Sequence, residues 1–541
     1  MLTAMRLGNF KAFADTQRVP LKPLTLIFGP NSAGKSSLIH GLLLARHAVD
    51  TGEIDVHRTV IGGDSVDLGG FQQYVYRGDQ SRQVEWGAEI DTAKLTGRLA
   101  ELLAPVRRLD VLLTIGVALD DLGQMAPGAT PRVTSYQVEA DGTPLLRLSS
   151  RRDGSLRLDR LAHDHVAFRD VIAAMLLLGT TLESLTVKDY AVLDEALKLI
   201  VPEIVFTPGN LLPTGVAGAG DLPDQLIPIS SGQRAEGLAT ALRLFLPRTL
   251  DELVGGLSEA VARELQRVRY LGPLRSFPPR HLAFSQHHDP NWLAGGGHAW
   301  DIVRRDESVR EAVNKWLRDP QKLSTPYSLN VTELVSEDYV DFEIRETLDV
   351  VNDELDEMLD DEKPSTEWLH EHFASLQRTI AKYARKVSEL ELADLRTHAT
   401  VTHRDVGIGI SQVLPVLVNA YAYSNQTVVI EQPEIHLHPG LQAELGDVFS
   451  ESALGERRNT CILETHSEHL ILRLMRRMRD TANDSLPDGL PPVRPEDVAI
   501  LYVQPKESAA VVRVLELDEE GQLLDPWPGG FFEEGFRERF A

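Results

Sequence analysis

A single cysteine, Cys461, occurs in 541 residues, which excludes an internal disulfide and a zinc cluster built on cysteine. It lies in the apolar run Thr460-Cys461-Ile462-Leu463, where a buried strand thiol is expected. Long apolar stretches are missing as well. The best candidate, around Val171 to Leu182, falls short of the roughly 20 residues a membrane helix needs, and no basic segment followed by an apolar core opens the chain. A cytoplasmic protein without a membrane partner is therefore expected. Positive charge is scarce: 55 Lys and Arg face 80 Asp and Glu, a net −25. That balance argues against a surface coated for phosphate binding, because nucleic-acid affinity rests on cations neutralising phosphates. A local DNA contact stays open at "LILRLMRRMRD", where Arg473, Arg476, Arg477 and Arg479 follow one part of a helix; a solvated helix face is the plainer reading. Much of the acidity falls in residues 350 to 362, read as an exposed helix and its frayed end.

With 43% hydrophobic and 25% charged residues the chain has ordinary globular composition, and its length implies two or three structural units. The opening reads as two short strands, the second being Leu24 to Phe28, which runs into a glycine-rich loop and then a helix beginning "SSLIHGLLLARHAV". From about Arg82 to Asp159, short β-like runs alternate with Gly, Asp and Pro turns, as in an antiparallel insertion. Residues 163 to 200, 235 to 268, 349 to 363 and 366 to 396 are helical in pattern. From Thr397 strands and helices alternate, which implies a mainly parallel sheet covered on both faces. The expected division is an N-terminal lobe with the glycine-rich loop at 1–90, a β-rich and helical insertion at 91–396, a C-terminal lobe at 397–500, and a strand with an aromatic tail at 501–541.

The octet Gly29-Pro30-Asn31-Ser32-Ala33-Gly34-Lys35-Ser36 satisfies GxxxxGK[ST] in full. Its glycines let the backbone wrap phosphates, Lys35 reaches the β and γ phosphates of ATP, Ser36 offers a hydroxyl to Mg²⁺, and Ser37 continues the helix. The strand Val428-Val429-Ile430 ends in Glu431-Gln432-Pro433-Glu434, followed by Ile435-His436-Leu437-His438-Pro439. A carboxylate at the end of a buried parallel strand, Glu431, stands where Mg²⁺ needs its second protein contact. In "CILETHSEHL", His466 follows another apolar strand, from which an imidazole can reach a γ-phosphate.

In the order "LGNFKAF", "GPNSAGKSS", "DVGIGISQVLPVL", "VVIEQPEIHLHP" and "ETHSEHL", the chain resembles the ATPase heads of the SMC, RecF and OLD group, described also as ABC-type or AAA-like ATPases. The resemblance covers about residues 1 to 80 and 397 to 541. It implies an α/β, ABC-type P-loop head formed by both ends of the chain around a large insertion. It also puts Gly407, Gly409, Ser411 and Gln412 in the place of the signature that contacts the γ-phosphate held by an opposite subunit, and so implies an ATP-gated homodimer. The residues agree, since two glycines before a serine at the start of an apolar helix make a second anion-binding helix end. "SSGQR", Ser230 to Arg234, spells the signature more closely but precedes the strand ending at Glu431, which stands in the place of the Walker B strand of such heads, by nearly two hundred residues.

Further positions carry expectations of lower specificity. Gln72 or Gln73 would serve as the Q-loop residue, and Arg275 is either a site residue or half of a buried ion pair. Trp527, Phe531 and Phe532 belong to an ending that resembles a small C-terminal domain of unknown function found in many such ATPases, and are expected to pack on the head. About 75 residues follow His466, too few for the nuclease domain of OLD-type relatives, so an effector would be a separate protein in DNA repair or phage defence. A transporter ATPase subunit and a P-loop kinase are the competing classes; the former lacks a reason for the large middle, the latter for His466. One departure bears on mechanism. Where the Walker B carboxylate is usually followed by a glutamate that activates water, this chain has Gln432, so either Glu434 or His438 supplies the base or hydrolysis is slow.

Overall fold

The computed structural model describes residues 2–120, 125–126, 128–151, 154–217, 227–276, 289, 291–320, 322–335, 337–357, 366–383, 386–401 and 406–528. The chain gathers into two compact units. Met1–Arg275, Pro290–Gly296 and Asn419–Ala541 make one; Ser276–Asp289 and Gly297–Val418 make the other.

The first unit holds the expected α/β sheet. Its strands run in the order Val268–Leu271, Thr427–Glu431, Thr460–Glu464, Leu24–Phe28, Val498–Lys506 and Ala509–Leu515. The first five are parallel and the sixth returns antiparallel. Leu24–Phe28 and Thr460–Glu464 are buried along their whole length, as continuous apolar strands are when helices cover both faces. Cys461 is wholly buried among them, and that burial pushes its thiol up to about 12.

Beside it stands a nine-stranded antiparallel sheet, which takes its strands from both sides of residue 90. Leu2–Gly8 pairs with Gln17–Pro20 on one side and Val84–Asp91 on the other. The opening is thus three strands rather than two, and only the third joins the parallel sheet. The helix Arg234–Gln266 buries Leu238, Leu242, Leu246, Leu250, Leu253 and Leu257, an apolar stripe at helical spacing. The segment Ser230 to Arg234 begins that helix. There the Arg234 guanidinium pairs with buried Asp189 at 2.7 Å and donates to the Ser184 carbonyl, a structural use for the signature-like spelling.

In the second unit, Tyr327–Val335, Lys386–Asp394 and Ala399–Val401 form an antiparallel sheet with helices Gly297–Arg305 and Glu307–Arg318. Asn314 links helix to sheet by bonding both the N–H and the carbonyl of Leu329. The helix expected over 366 to 396 ends early: Thr366–Tyr383 is helical, and Lys386–Asp394 is a strand in register with Tyr327–Val335. "KVSELELAD" is rich in helix formers, yet it alternates at period two, and pairing decides for the strand. The acidic run is helical through Glu357 within Glu337–Glu357; residues 358–365, including Pro364, lie outside the described residues. Among the described residues no helix is long and apolar enough to cross a membrane.

The arginines of "LILRLMRRMRD" divide between two uses. Arg477 meets Asp447 through two bonds of 2.7 Å, and Arg473 reaches Glu444 at 2.7 Å and Asp447 at 2.6 Å. These pairs fasten helix Glu468–Ala482 to helix Pro439–Leu454, so only Arg476 and Arg479 remain exposed, and the four do not form a DNA-facing patch. Asp447→Ala removes the partner that Arg473 and Arg477 share, leaving Arg473 with Glu444 and Arg477 with Asp480, and chemical denaturation should register a loss of about 1.5–3 kcal/mol. Arg476→Ala should cost no more than about 0.5 kcal/mol; equal losses for the two would overturn this assignment.

Candidate functional site

The glycine-rich loop leaves the carboxyl end of Leu24–Phe28, at the centre of the parallel sheet. Gly29 (φ 146°) admits no side chain, since a Cβ there would run into the Val503 carbonyl of the neighbouring strand. Ser32 (φ 60°) and Gly34 (φ 99°) are left-handed, so successive N–H groups turn inward and form an anion-binding nest before helix Lys35–Thr51. Pro30 is half-buried and Asn31 exposed, while Ala33 is buried and donates its N–H to the Pro30 carbonyl. The buried Lys35 ammonium donates to the carbonyls of Gly29 (3.1 Å) and Pro30 (3.0 Å). Burial lowers its pKa against the attraction of Glu464, Glu434 and Glu431. Ser37 is buried in the first helical turn, its N–H bonded to the Gly34 carbonyl.

Register brings the acids together. Glu431 ends its strand directly opposite Glu464 on the next, and paired residues of parallel strands share a face about 4.8 Å apart. The Ser36 hydroxyl is within hydrogen-bonding reach of both carboxylates. Tyr270 donates its hydroxyl to Glu431 Oε1 at 2.8 Å. Burial, with Glu464 beside it, pushes Glu431 from 4.5 up to about 8; burial likewise raises Glu464. Such oxygen donors, a hydroxyl and buried carboxylates beside a phosphate nest, fit Mg²⁺.

Glu434 has a different occupation. Its Oε2 accepts from the Thr465 hydroxyl and its Oε1 from the His466 N–H, both at 2.7 Å. The glutamate thereby locks the turn after one strand to the turn after the next. His466 is half-buried, its pKa lowered by burial and by the nearby Lys35 ammonium. Gln432 adopts φ 47°, donates its N–H to the Glu464 carbonyl at 2.7 Å, and is half-buried. His438 caps helix Pro439–Leu454, its Nδ1 accepting the Gly440 N–H at 3.3 Å. Arg275 is buried and donates to the carbonyls of Glu431 (3.2 Å) and Gln432 (2.9 Å), and burial pulls it down to about 10. It braces the backbone around the acids.

The remaining expected residues stand on other elements. Gly409, Ser411 and Gln412 occupy the first turn of helix Ile408–Tyr421, whose opening belongs to the second unit; Ser411 and Gln412 are buried. Gln72 and Gln73 are both exposed on the short helix Phe71–Tyr74. Trp527 sets its ring edge against Phe28, 6.3 Å between centroids, at the end of the loop-bearing strand; Phe531 and Phe532 lie outside the described residues. Three residues near the acids escaped the sequence reading. Glu464 was marked by its place, one strand end aligned with another, and Tyr270 by an apolar strand preceding Arg275. Lys11, within "LGNFKAF", is a third: its ammonium donates to His40 Nδ1 at 2.8 Å and interacts with Glu431.

Residues 305–471 match a family described as an AAA ATPase domain, AAA_15. Residues 493–539 match one described as a protein of unknown function, DUF3696. No curated protein matches the chain. Among solved structures it is similar to an Smc head bound to the C-winged helix domain of ScpA (8% identity, TM-score 0.36, 96% of this chain and 98% of that one). It is similar also to the Pyrococcus furiosus Smc head with an extended coiled coil bound to the C-terminal domain of ScpA (10%, 0.34, 95% and 96%), and to the Thermotoga maritima SMC head domain (9%, 0.33, 95% and 99%).

Glu431 gives the nucleotide-free site a pH signature. Between 4.5 and about 8 the folded chain keeps a proton on this carboxyl that the unfolded chain has released, so stability falls as pH rises through that interval and levels off above it. Thermal unfolding of wild type and Glu431→Gln across the interval should show wild type losing ground steadily with rising pH. A constant gap between them would remove the buried acid as the cause.

Proposed function

We propose that this SMC- and RecF-like ATPase binds ATP with Mg²⁺ at the loop Gly29 to Ser36, closes into a homodimer while ATP is held, and hydrolyses it slowly. What carries the reading is the meeting of Gly29, Lys35, Ser36, Glu431 and His466 at the carboxyl end of one parallel sheet, where open α/β sheets bind their ligands. Ser36 and Glu431 would hold the cation, which when bound neutralises charge on the β and γ phosphates. Lys35 exchanges two loop carbonyls for phosphate oxygens, which are stronger acceptors for an ammonium. The neutral His466 imidazole, set by Glu434, serves the γ-phosphate by hydrogen bonding.

The environment of each acid supports slow turnover. Gln432 can orient a water but takes no proton from it at neutral pH. Both oxygens of Glu434 are engaged by Thr465 and His466, and His438 accepts a helix N–H. A long-lived ATP state suits a clamp. In it Gly409, Ser411 and Gln412 of one subunit would meet the γ-phosphate of the other, and closure would be relayed to a separate effector in the cytoplasm, in DNA repair or phage defence. The acidic composition argues against a broad DNA footprint and limits any DNA contact to a local one.

Two experiments test the reading. Lys35→Ala should abolish equilibrium binding of a fluorescent ATP analogue, whereas Ser411→Arg should retain binding and lose the ATP-dependent mass increase in light scattering; closure that survives Ser411→Arg removes the helix from the dimer contact. Steady-state phosphate release should be low for wild type and rise about 10- to 100-fold in Gln432→Glu, the lower part of what a general base contributes. Fast wild-type turnover that collapses in Glu434→Gln would make Glu434 the base and end the clamp reading.

A further inference from the structure

We propose that Glu464 is a second carboxylate holder of the divalent cation, completing with Ser36 and Glu431 an oxygen site that Glu431 alone leaves one-sided. The inference rests on the ATP and Mg²⁺ reading of the loop, and extends it to a residue that the Walker motifs do not include. Three observations converge. Glu464 is opposite Glu431 in the parallel register, so both side chains leave the sheet on one face toward the loop. The Ser36 hydroxyl is within reach of both. Finally, Glu464 is only 4% exposed, and its Oε2 is wholly buried with no hydrogen-bond partner among the described residues.

That last feature separates a ligand from a brace. A buried carboxylate kept for architecture has its oxygens satisfied, as Glu434 does through Thr465 and His466. Glu431 has one oxygen engaged by Tyr270. Lys35, the near cation, donates to the loop carbonyls of Gly29 and Pro30. Two buried acids on neighbouring strands repel each other, and an open oxygen between them costs further. A hard divalent cation, coordinated directly or through a water it retains, satisfies both.

Mn²⁺ serves as the probe, titrated by electron paramagnetic resonance into protein saturated with a non-hydrolysable ATP analogue. Glu464→Gln, which keeps shape and removes charge, should weaken Mn²⁺ binding about 10- to 100-fold, the cost of losing a supporting metal contact, while analogue binding in EDTA stays at the wild-type value. Unchanged Mn²⁺ affinity in Glu464→Gln overturns the inference, as does normal Mn²⁺ affinity with phosphate release lost, which would make Glu464 the base instead. Should Glu464→Gln fail to fold, Glu464→Asp carries the test: its withdrawn carboxylate should weaken Mn²⁺ by about 10-fold, and no change overturns the proposal. Failure of the underlying reading is visible separately, as wild type that binds no analogue at all.

Discussion

Burying three carboxylates at one end of a parallel sheet imposes a demand that the surrounding residues are arranged to meet. Glu431, Glu434 and Glu464 are each at most 8% exposed, and a buried acid must be protonated, hydrogen-bonded or matched by a cation. All three solutions are used within one cluster. Glu434 takes hydrogen bonds from Thr465 and His466, Glu431 takes one from Tyr270, and Lys35 and Arg275 supply positive charge nearby. What remains is the proximity of Glu431 and Glu464: burial first, and then this neighbour, hold the Glu431 carboxyl above the usual range.

The backbone near these acids is held as firmly as their side chains. Arg275 grips two successive carbonyls at the strand end, and the Gln432 N–H continues the sheet pairing to Glu464 although its own φ is left-handed. Such a conformation costs a non-glycine residue of order 1–2 kcal/mol and persists where surroundings over-determine it. Here Arg275 and Glu464 hold it from two sides. The backbone of Gln432 is therefore held in a fixed place.

Local signals in the sequence were enough for the turn between Leu24–Phe28 and Lys35–Thr51, the apolar strand ending at Glu431 and the alternation of strands and helices after residue 397. Each rests on contiguous residues whose spacing expresses one mechanism, as in Gly29 to Ser36. What depended on pairing between distant segments was not legible. Nothing local in Leu2–Gly8 says that it joins Val84–Asp91 rather than Leu24–Phe28, and Glu464 acquires meaning only from its register with Glu431. Lys386–Asp394 shows the converse failure, a helix-forming composition overruled by a partner strand. Arg473 and Arg477 looked like free surface charge because Asp447 and Glu444, which engage them, stand on another helix.

The wall behind Gly29 is the Val503 carbonyl, and the same late strand pair is tied back to the opening of the chain: Lys22 donates to the carbonyl of Val498, 476 residues away, and the Ala510 N–H to that of Ala12. During synthesis the glycine-rich loop is thus made long before Val503, the surface that supports it. At translation speeds of about 5–20 residues per second, the interval is roughly half a minute to a minute and a half. Through that time the nascent loop lacks the wall behind Gly29, so the turn takes its final shape only after Val503 has emerged.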